Sequence, residues 1–323
     1  MKNILECLER AQSVAIGGHV RPDGDCVGSC LGLYNYIKDN YPKIKTVDVY
    51  LEPVNDKYSF IQGVDKIRHT CGEDTCYDLF IALDNGDLDR LEPGKPGFLT
   101  AKETVNIDHH ISNTNYAMTN YVRQNASSAC EVVYSLMDKK KVGLKTAEAL
   151  YTGLISDTGV FRHSCTSKTT LKAAGELISK GIDFPKLIDE VFYQKTYIQN
   201  QILGRALLES ILLLDDKVIY SVITQKELDF YEASATDLEG VIDQLRVTKG
   251  VEVAVLATEL KPLHYKVSMR SNGLVNVNQV AAAYGGGGHN LAAGCTISGT
   301  KYDIINNLTQ HIEEQLADVS RNH

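Results

Sequence analysis

None of the eight cysteines falls in a CxxC pair. Cys7, Cys26, Cys30, Cys71, Cys76, Cys130, Cys165 and Cys295 stand singly, which argues against a thiolate zinc site. No apolar run approaches the roughly 20 residues needed to cross a bilayer. The first ten residues carry Glu6 and Glu9 where a signal peptide would have its apolar region. The expectation is a reduced, cytoplasmic protein with no membrane partner. Positive charge is also short: 33 basic residues against 41 acidic ones leave a formal net charge of −8. Binding along a long double-stranded nucleic acid needs a positive surface, so the charge argues against that partner. A short anionic substrate remains open, particularly where bound cations supply the positive charge. Internal repeats and low-complexity tracts are absent as well.

What is present is ordinary in composition. A hydrophobic content of 43% and a charged content of 23% suit a soluble globular protein. A chain of 323 residues exceeds most single compact cores, so two domains are expected. In the first part, short apolar strands (residues 14–17, 46–51, 78–83 and 104–107) alternate with helical stretches such as 27–38. That alternation predicts a mostly parallel sheet flanked by helices. From about residue 127 to 212 the pattern is helical. "SSACEVVYSLMDKK" opens on a serine cap and carries Glu131 three residues after Ser128, a capping-box pattern. "LKTAEALYTGLISDTG" reads as a helix closed by glycine. Residues 189–205, polar and free of Pro and Gly until Gly204, read as a helical inter-domain linker. The later strands "KVIYSVIT", "VEVAVLATEL", "HYKVSMRS" and "GCTIS" then form a smaller C-terminal α/β domain. The expected division is residues 1–188, the linker at 189–205, and residues 206–323.

The stretch "VNIDHHISN", residues 105–113, ends a strand-like run on Asp108, His109 and His110. Neighbouring strand residues point to opposite faces. The three polar side chains therefore mark either a solvated turn or a place where at least two of them converge. Three other stretches put similar groups at element ends. "GGHVRPDGDCVGS" offers His19, Asp23 and Asp25 between a strand and a helix. "FIALDNGD" ends a strand at Asp84, and "LISDTGVFR" ends a helix at Asp157. Taken singly, each has an ordinary reading: Asp23 or Asp25 as a helix cap, Asp84 before Asn85-Gly86 as a turn, His19 as a buried histidine with its bonds made. Together, five carboxylates and three imidazoles at successive element ends are hard to explain as caps. In open parallel sheets, ligands bind beyond the carboxyl ends of strands. Carboxylate and imidazole without thiolate suit Mn²⁺ or a similar divalent ion. There are too many donors for one ion. Two ions about 3.5–4 Å apart, sharing a carboxylate, form a clamp for phosphoryl transfer.

These four stretches, in this order, resemble the metal-site motifs of the DHH phosphoesterase superfamily. "YGGGGHNLAAG", residues 284–294, is similar to the glycine-rich signature of the DHH-associated substrate domain. Length and layout resemble the bacterial nano-RNase/pAp-phosphatase branch. The resemblance implies an active site in the inter-domain cleft and two Mn²⁺ ions. One ion would be held by His19, Asp23 and Asp84. The other would be held by Asp25, Asp84, His109 and Asp157, with Asp84 bridging. It further implies that Asp108 orients its neighbours, that His110 faces the scissile phosphate, and that Arg270, Gly286, Gly287, Gly288 and His289 hold the substrate. Consecutive glycines do allow backbone N–H groups to approach an anion closely, although a hinge has the same composition. The roles of Asp87, Arg162 and His163 are left unassigned.

The implied activity is hydrolysis of short oligoribonucleotides to mononucleotides, and of pAp to AMP and phosphate, by two-metal attack. An alternative is a phosphodiesterase for cyclic di-AMP or its linear product pApA. A manganese pyrophosphatase is disfavoured, because its lysine-rich signature is not found before the glycine stretch. A nucleotide-binding regulator that has lost catalysis is disfavoured by the complete set of metal donors. A homodimer stays open.

Overall fold

Every residue of the strand Leu79–Leu83 is buried, as a strand covered on both faces requires. In the computed structural model, which describes residues 4–321, it is the fourth strand of a six-stranded sheet. The strands are β1 (Ser13–Gly17), β2 (Thr46–Tyr50), β3 (Ile67–Arg68), β4 (Leu79–Leu83), β5 (Glu103–Asp108) and β6 (Thr119–Val122). All neighbours run parallel. Side chains alternate between the two faces. Leu79, Ile81 and Leu83 join Val14 and Ile16 in the large core. Phe80 and Ala82 pack with Ala15, Tyr50, Tyr77 and Phe98 on the other side. The strand order is β3-β2-β1-β4-β5-β6. The chain runs outward from β1 to β3, then returns to β4 and proceeds the other way. Such a reversal opens a crevice beyond the strand ends, where ligands bind. β1 leads into His19 there, and β4 into Asp84.

The helices of this first unit are α1 (Ile4–Arg10), α2 (Gly24–Asn40), α3 (Lys95–Thr100), α4 (Ala129–Leu136), α5 (Leu144–Thr158), α6 (Lys168–Ile178) and α7 (Phe184–Ile188). α2 starts earlier than residue 27 because the Asp23 side chain caps it, accepting from the backbone N–H of Asp25 and Cys26. α5 closes on Gly159 at φ 54°, the left-handed C-cap that glycine favours. The capping box expected at α4 is only half made. Ser128 accepts from the Glu131 N–H, but the Glu131 carboxylate turns to the N–H and hydroxyl of Ser127 and to the hydroxyl of Thr170. A partner 39 residues away competes successfully with the local one.

α2 and α5 meet backbone to backbone. A Cβ on Gly28 would stand 2.5 Å from the Ala149 carbonyl oxygen and 2.9 Å from the Gly153 nitrogen. A Cβ on Gly153 would stand 2.2 Å from Cys130 Sγ and 2.8 Å from Asp25 Oδ1. Glycine at these positions lets the helix carrying Asp25 lie against the helix carrying Asp157.

The chain divides into two units between Gln194 and Lys195. The stretch 189–205 thus spans the boundary: a five-residue π-turn, Asp189–Tyr193, belongs to the first unit, and α8 (Tyr197–Leu208) to the second. The second unit continues with β7 (Ile211–Leu213), β8 (Val218–Ile223), α9 (Gln225–Phe230), α10 (Val241–Arg246), β9 (Val253–Lys261), β10 (His264–Ser271), α11 (Val277–Ala282), β11 (Gly287–His289), β12 (Ala292–Ser298) and α12 (Lys301–Arg321). Its sheet has the order β11-β12-β10-β9-β8-β7. Only β8 and β9 pair in parallel; the other neighbours are antiparallel. Ile304, Leu308 and Ile312 of α12 pack on Val253, Val255, Val267 and Met269. Among the described residues, no helix is long and apolar enough to cross a membrane.

The helix contact gives a first prediction. Gly28→Ala should destabilise the protein by about 1–3 kcal/mol, the usual scale of overpacking. Chemical denaturation measures this, and an unchanged midpoint would refute the close approach.

Candidate metal centre

Four loop and helix ends deliver the donors. His19 follows β1, and its Nδ1 lies 2.8 Å from the Val20 carbonyl oxygen. A carbonyl only accepts, so Nδ1 carries a proton and Nε2 is turned inward. Nε2 stands 3.3 Å from Asp84 Oδ2 and 3.7 Å from Asp23 Oδ1. Asp84 follows β4 with a left-handed backbone, φ 50°, uncommon for a residue with a Cβ. It is held there by a hydrogen bond from its N–H to the Ile107 carbonyl at 3.1 Å. His109 follows β5, and three carboxylates surround its Nε2: Asp157 Oδ2 at 3.3 Å, Asp84 Oδ1 at 3.5 Å and Asp25 Oδ2 at 3.8 Å. Asp25, fully buried in the first turn of α2, accepts from the backbone N–H groups of Ala129 and Cys130 at the start of α4.

His110 points its Nδ1 at Asp108 Oδ1, 2.8 Å away, which leaves Nε2 free on the far side of the ring. Asp108 is buried and accepts a second bond from Asn113 Nδ2. Asn113 also donates to Asn106 Oδ1 at 2.8 Å, and Asn106 donates to the Tyr116 hydroxyl at 3.0 Å. A chain of buried (Asp108, Asn106) and half-buried (Asn113, Tyr116) side chains therefore orients His110. Burial alone would raise the Asp108 pKa, but the bonds from His110 and Asn113 hold it below the ordinary carboxylate value. Asp108 in turn raises His110 above the usual imidazole value.

The cluster carries more negative charge than it can hold unaided. Burial and then the neighbouring Asp84 charge push the Asp25 carboxyl upward. Burial, then Asp25 and Asp84, do the same to Asp157. At His109 burial opposes protonation, but the nearby Asp84 carboxylate, with the charges of Asp25 and Asp157, outweighs it and raises its pKa. Asp84 Oδ1 is buried without a hydrogen-bond partner, and a buried orphan acceptor is costly unless something absent completes it. Divalent cations fit both observations. Three sets of side chains each bring donor atoms within 4.8 Å of one another: His19, Cys26 and Asp84; Asp84, His109 and His110; and Asp25, His109 and Asp157. Asp84 is shared by two of them.

Asp23 sits beside His19, but its Oδ1 also caps α2. Asp87 caps a short 3₁₀ turn, Leu88–Arg90. His163 Nδ1 meets the Asp157 carbonyl at 3.0 Å. Arg162 is exposed. In the second unit, Arg270 Nε stands 3.6 Å from Asp243 Oδ1. Gly287, Gly288 and His289 form the edge strand β11 against β12. Gly286 and Gly288 permit this close pairing: a Cβ on either would fall within 2.5 Å of a β12 carbonyl oxygen. Cys26, Asn113 and Tyr116 are the residues that sequence reasoning passed over. The only signal for Cys26 was its place directly after Asp25.

Residues 13–154 match the N-terminal domain of the DHH family, and residues 215–318 match the DHHA1 domain. The chain is 29% identical over 300 residues to a probable bifunctional oligoribonuclease and PAP phosphatase NrnA of Streptococcus mutans, covering 91% of this chain and 92% of that one. It is 27% identical to the bifunctional oligoribonuclease and PAP phosphatase NrnA of Bacillus subtilis, with the same coverage of each chain. A crystal structure of an exopolyphosphatase-related protein from Bacteroides fragilis shares the fold, with a TM-score of 0.83 at 24% identity over 96% of this chain and 94% of that one.

The shared position of Asp84 generates the next prediction. Asp84→Ala should lose most of its bound divalent metal, while His110→Ala keeps it. Equilibrium dialysis with elemental analysis reads both. Full metal content in Asp84→Ala would show that the carboxylate is not a shared ligand.

Proposed function

We propose a phosphoesterase function for this chain, which belongs to the DHH family. The substrates are short oligoribonucleotides, cut to mononucleotides, and pAp, cut to AMP and phosphate. The observation that carries the reading is the buried Asp84 carboxylate, with one oxygen toward His19 and the other toward His109. Names borne by relatives over nine-tenths of the chain support the substrate class.

Two divalent ions would be held here, one by His19, Asp23 and Asp84, the other by Asp25, Asp84, His109 and Asp157. Carboxylate and imidazole donors suit Mn²⁺. Such a pair supplies a nucleophile at neutral pH and neutralises charge on the phosphoryl oxygens. The protein's own part is positioning and proton transfer. α4 fixes Asp25 through two backbone N–H groups. Asp108 fixes the His110 ring and favours its protonated form, so that Nε2 can donate to a phosphoryl or leaving-group oxygen. The second unit selects the substrate through Arg270, His289 and the backbone of Gly286, Gly287 and Gly288.

The test compares rates on pAp, pApA, a five-residue RNA and cyclic di-AMP, before and after chelation. Turnover of pAp and the RNA, lost on chelation and restored by Mn²⁺, is the expected result. Preference for cyclic di-AMP or pApA would shift the reading to a cyclic-dinucleotide phosphodiesterase. Inertness on all four would favour a binding protein.

A further prediction separates selection from chemistry. Arg270→Ala and His289→Ala should lose much of kcat/KM on pAp and pApA, yet hydrolyse bis-p-nitrophenyl phosphate at close to the parent rate, because groups remote from the reacting centre act only through the substrate parts they bind. Equal losses on both substrate types would contradict that division.

A further inference from the structure

The first donor group contains an atom that the carboxylate and imidazole reading left out. The Cys26 sulfur, a His19 ring nitrogen and an Asp84 carboxylate oxygen all lie within 4.8 Å of one another, and all three residues are buried. Asp84 presents Oδ2 to His19, while its Oδ1 has no hydrogen-bond partner. The backbone makes room for the sulfur. A Cβ on Gly18, the residue before His19, would stand 2.2 Å from Cys26 Sγ. Asp23, the other donor proposed for this ion, is a weaker candidate. Its side chain is 59% exposed, and its Oδ1 already accepts two backbone hydrogen bonds. One turn further along α2, the Cys30 sulfur lines the same space, 3.3 Å from where a Cβ on Gly18 would stand.

We propose that Cys26 is a ligand of the ion held by His19 and Asp84, and that this position prefers a thiophilic divalent ion such as Zn²⁺ over Mn²⁺. The inference rests on the two-ion centre proposed above and assigns different ions to its two halves. Thiolate sulfur selects softer ions, whereas the carboxylates and imidazole of Asp25, Asp157 and His109 suit harder ones. On binding, the Cys26 S–H proton leaves to solvent and the sulfur lone pair is given to the ion. The absence of a CxxC pair does not bear on this. The sulfur comes from a single cysteine at the start of a helix, and the other donors come from strand ends.

The competing role for Cys26 is packing, since a free buried cysteine behaves as a small hydrophobe and this one lies in the main core. Spectroscopy separates the two. The full-length protein is loaded with Co²⁺. Visible ligand-field absorption reports that the ion is bound, and an intense near-ultraviolet charge-transfer band reports a sulfur ligand. Both are expected in the parent. Cys26→Ser and Cys26→Ala should keep the visible absorption and lose the ultraviolet band. X-ray absorption on the Zn²⁺-loaded parent should show a sulfur scatterer at about 2.3 Å, a measurement that needs no variant to fold. Removing an outer-shell partner already weakens metal binding by about 10–100-fold, so Cys26→Ala should weaken Zn²⁺ binding at least ~10-fold and Mn²⁺ binding less. Bound Co²⁺ without the band, or a band that survives in both variants, would overturn the sulfur ligand and leave the two-ion reading standing. Failure of the parent to bind Co²⁺ at all would overturn that reading, and this inference with it.

Discussion

Repulsion among Asp25, Asp84 and Asp157 is the constraint around which the first unit is organised. Like charges in a buried site raise one another's energy far more than in water. Nothing in their local sequences requires them to meet. The glycine-to-glycine contact of α2 with α5 brings Asp25 and Asp157 together, and the reversal of strand order between β1 and β4 places Asp84 beside His19. Partial compensation is built in. The first N–H groups of α4, at the positive end of its dipole, face Asp25, and His109 stands among all three carboxylates. What these leave uncompensated is what a cation would neutralise. Fold and metal requirement thus have one origin.

Much of this was readable from the chain. β4 was legible because a strand covered on both faces must be apolar throughout, and LFIAL is. Asp84, at its end, and Asp108, at the end of β5, were legible as polar residues terminating apolar runs. His109 turns toward Asp25, Asp84 and Asp157, and its neighbour His110 turns toward Asp108.

Other features were not legible, for reasons that are themselves physical. The left-handed backbone of Asp84 depends on a hydrogen bond to β5. The preference of Glu131 for Ser127 depends on Thr170, which comes from another helix. β3 and β7 have two and three residues, too short to leave a period in the sequence. β11 is made of glycine and histidine, which carry no strand signal, and its pairing is set by the close approach that the missing side chains permit. Cys26 carried little sign of its surroundings beyond its place after Asp25, because Asp84 comes to it from the end of β4, across the sheet.

The hydrogen bonds from Ala129 and Cys130 to Asp25 span 104 and 105 positions. Closing so long a loop has an entropic cost that must be met before the contact can repay it. A growing chain that has reached Asp108 already holds most of the donors, but it lacks the start of α4 and the whole of α5. It therefore has neither the groups that steady Asp25 nor Asp157 itself. The full set of donors is assembled only when the domain is nearly complete. A cation taken up at that stage would meet donors already fixed by the sheet and by α4 and α5, and not the isolated strand-end motifs of a shorter chain.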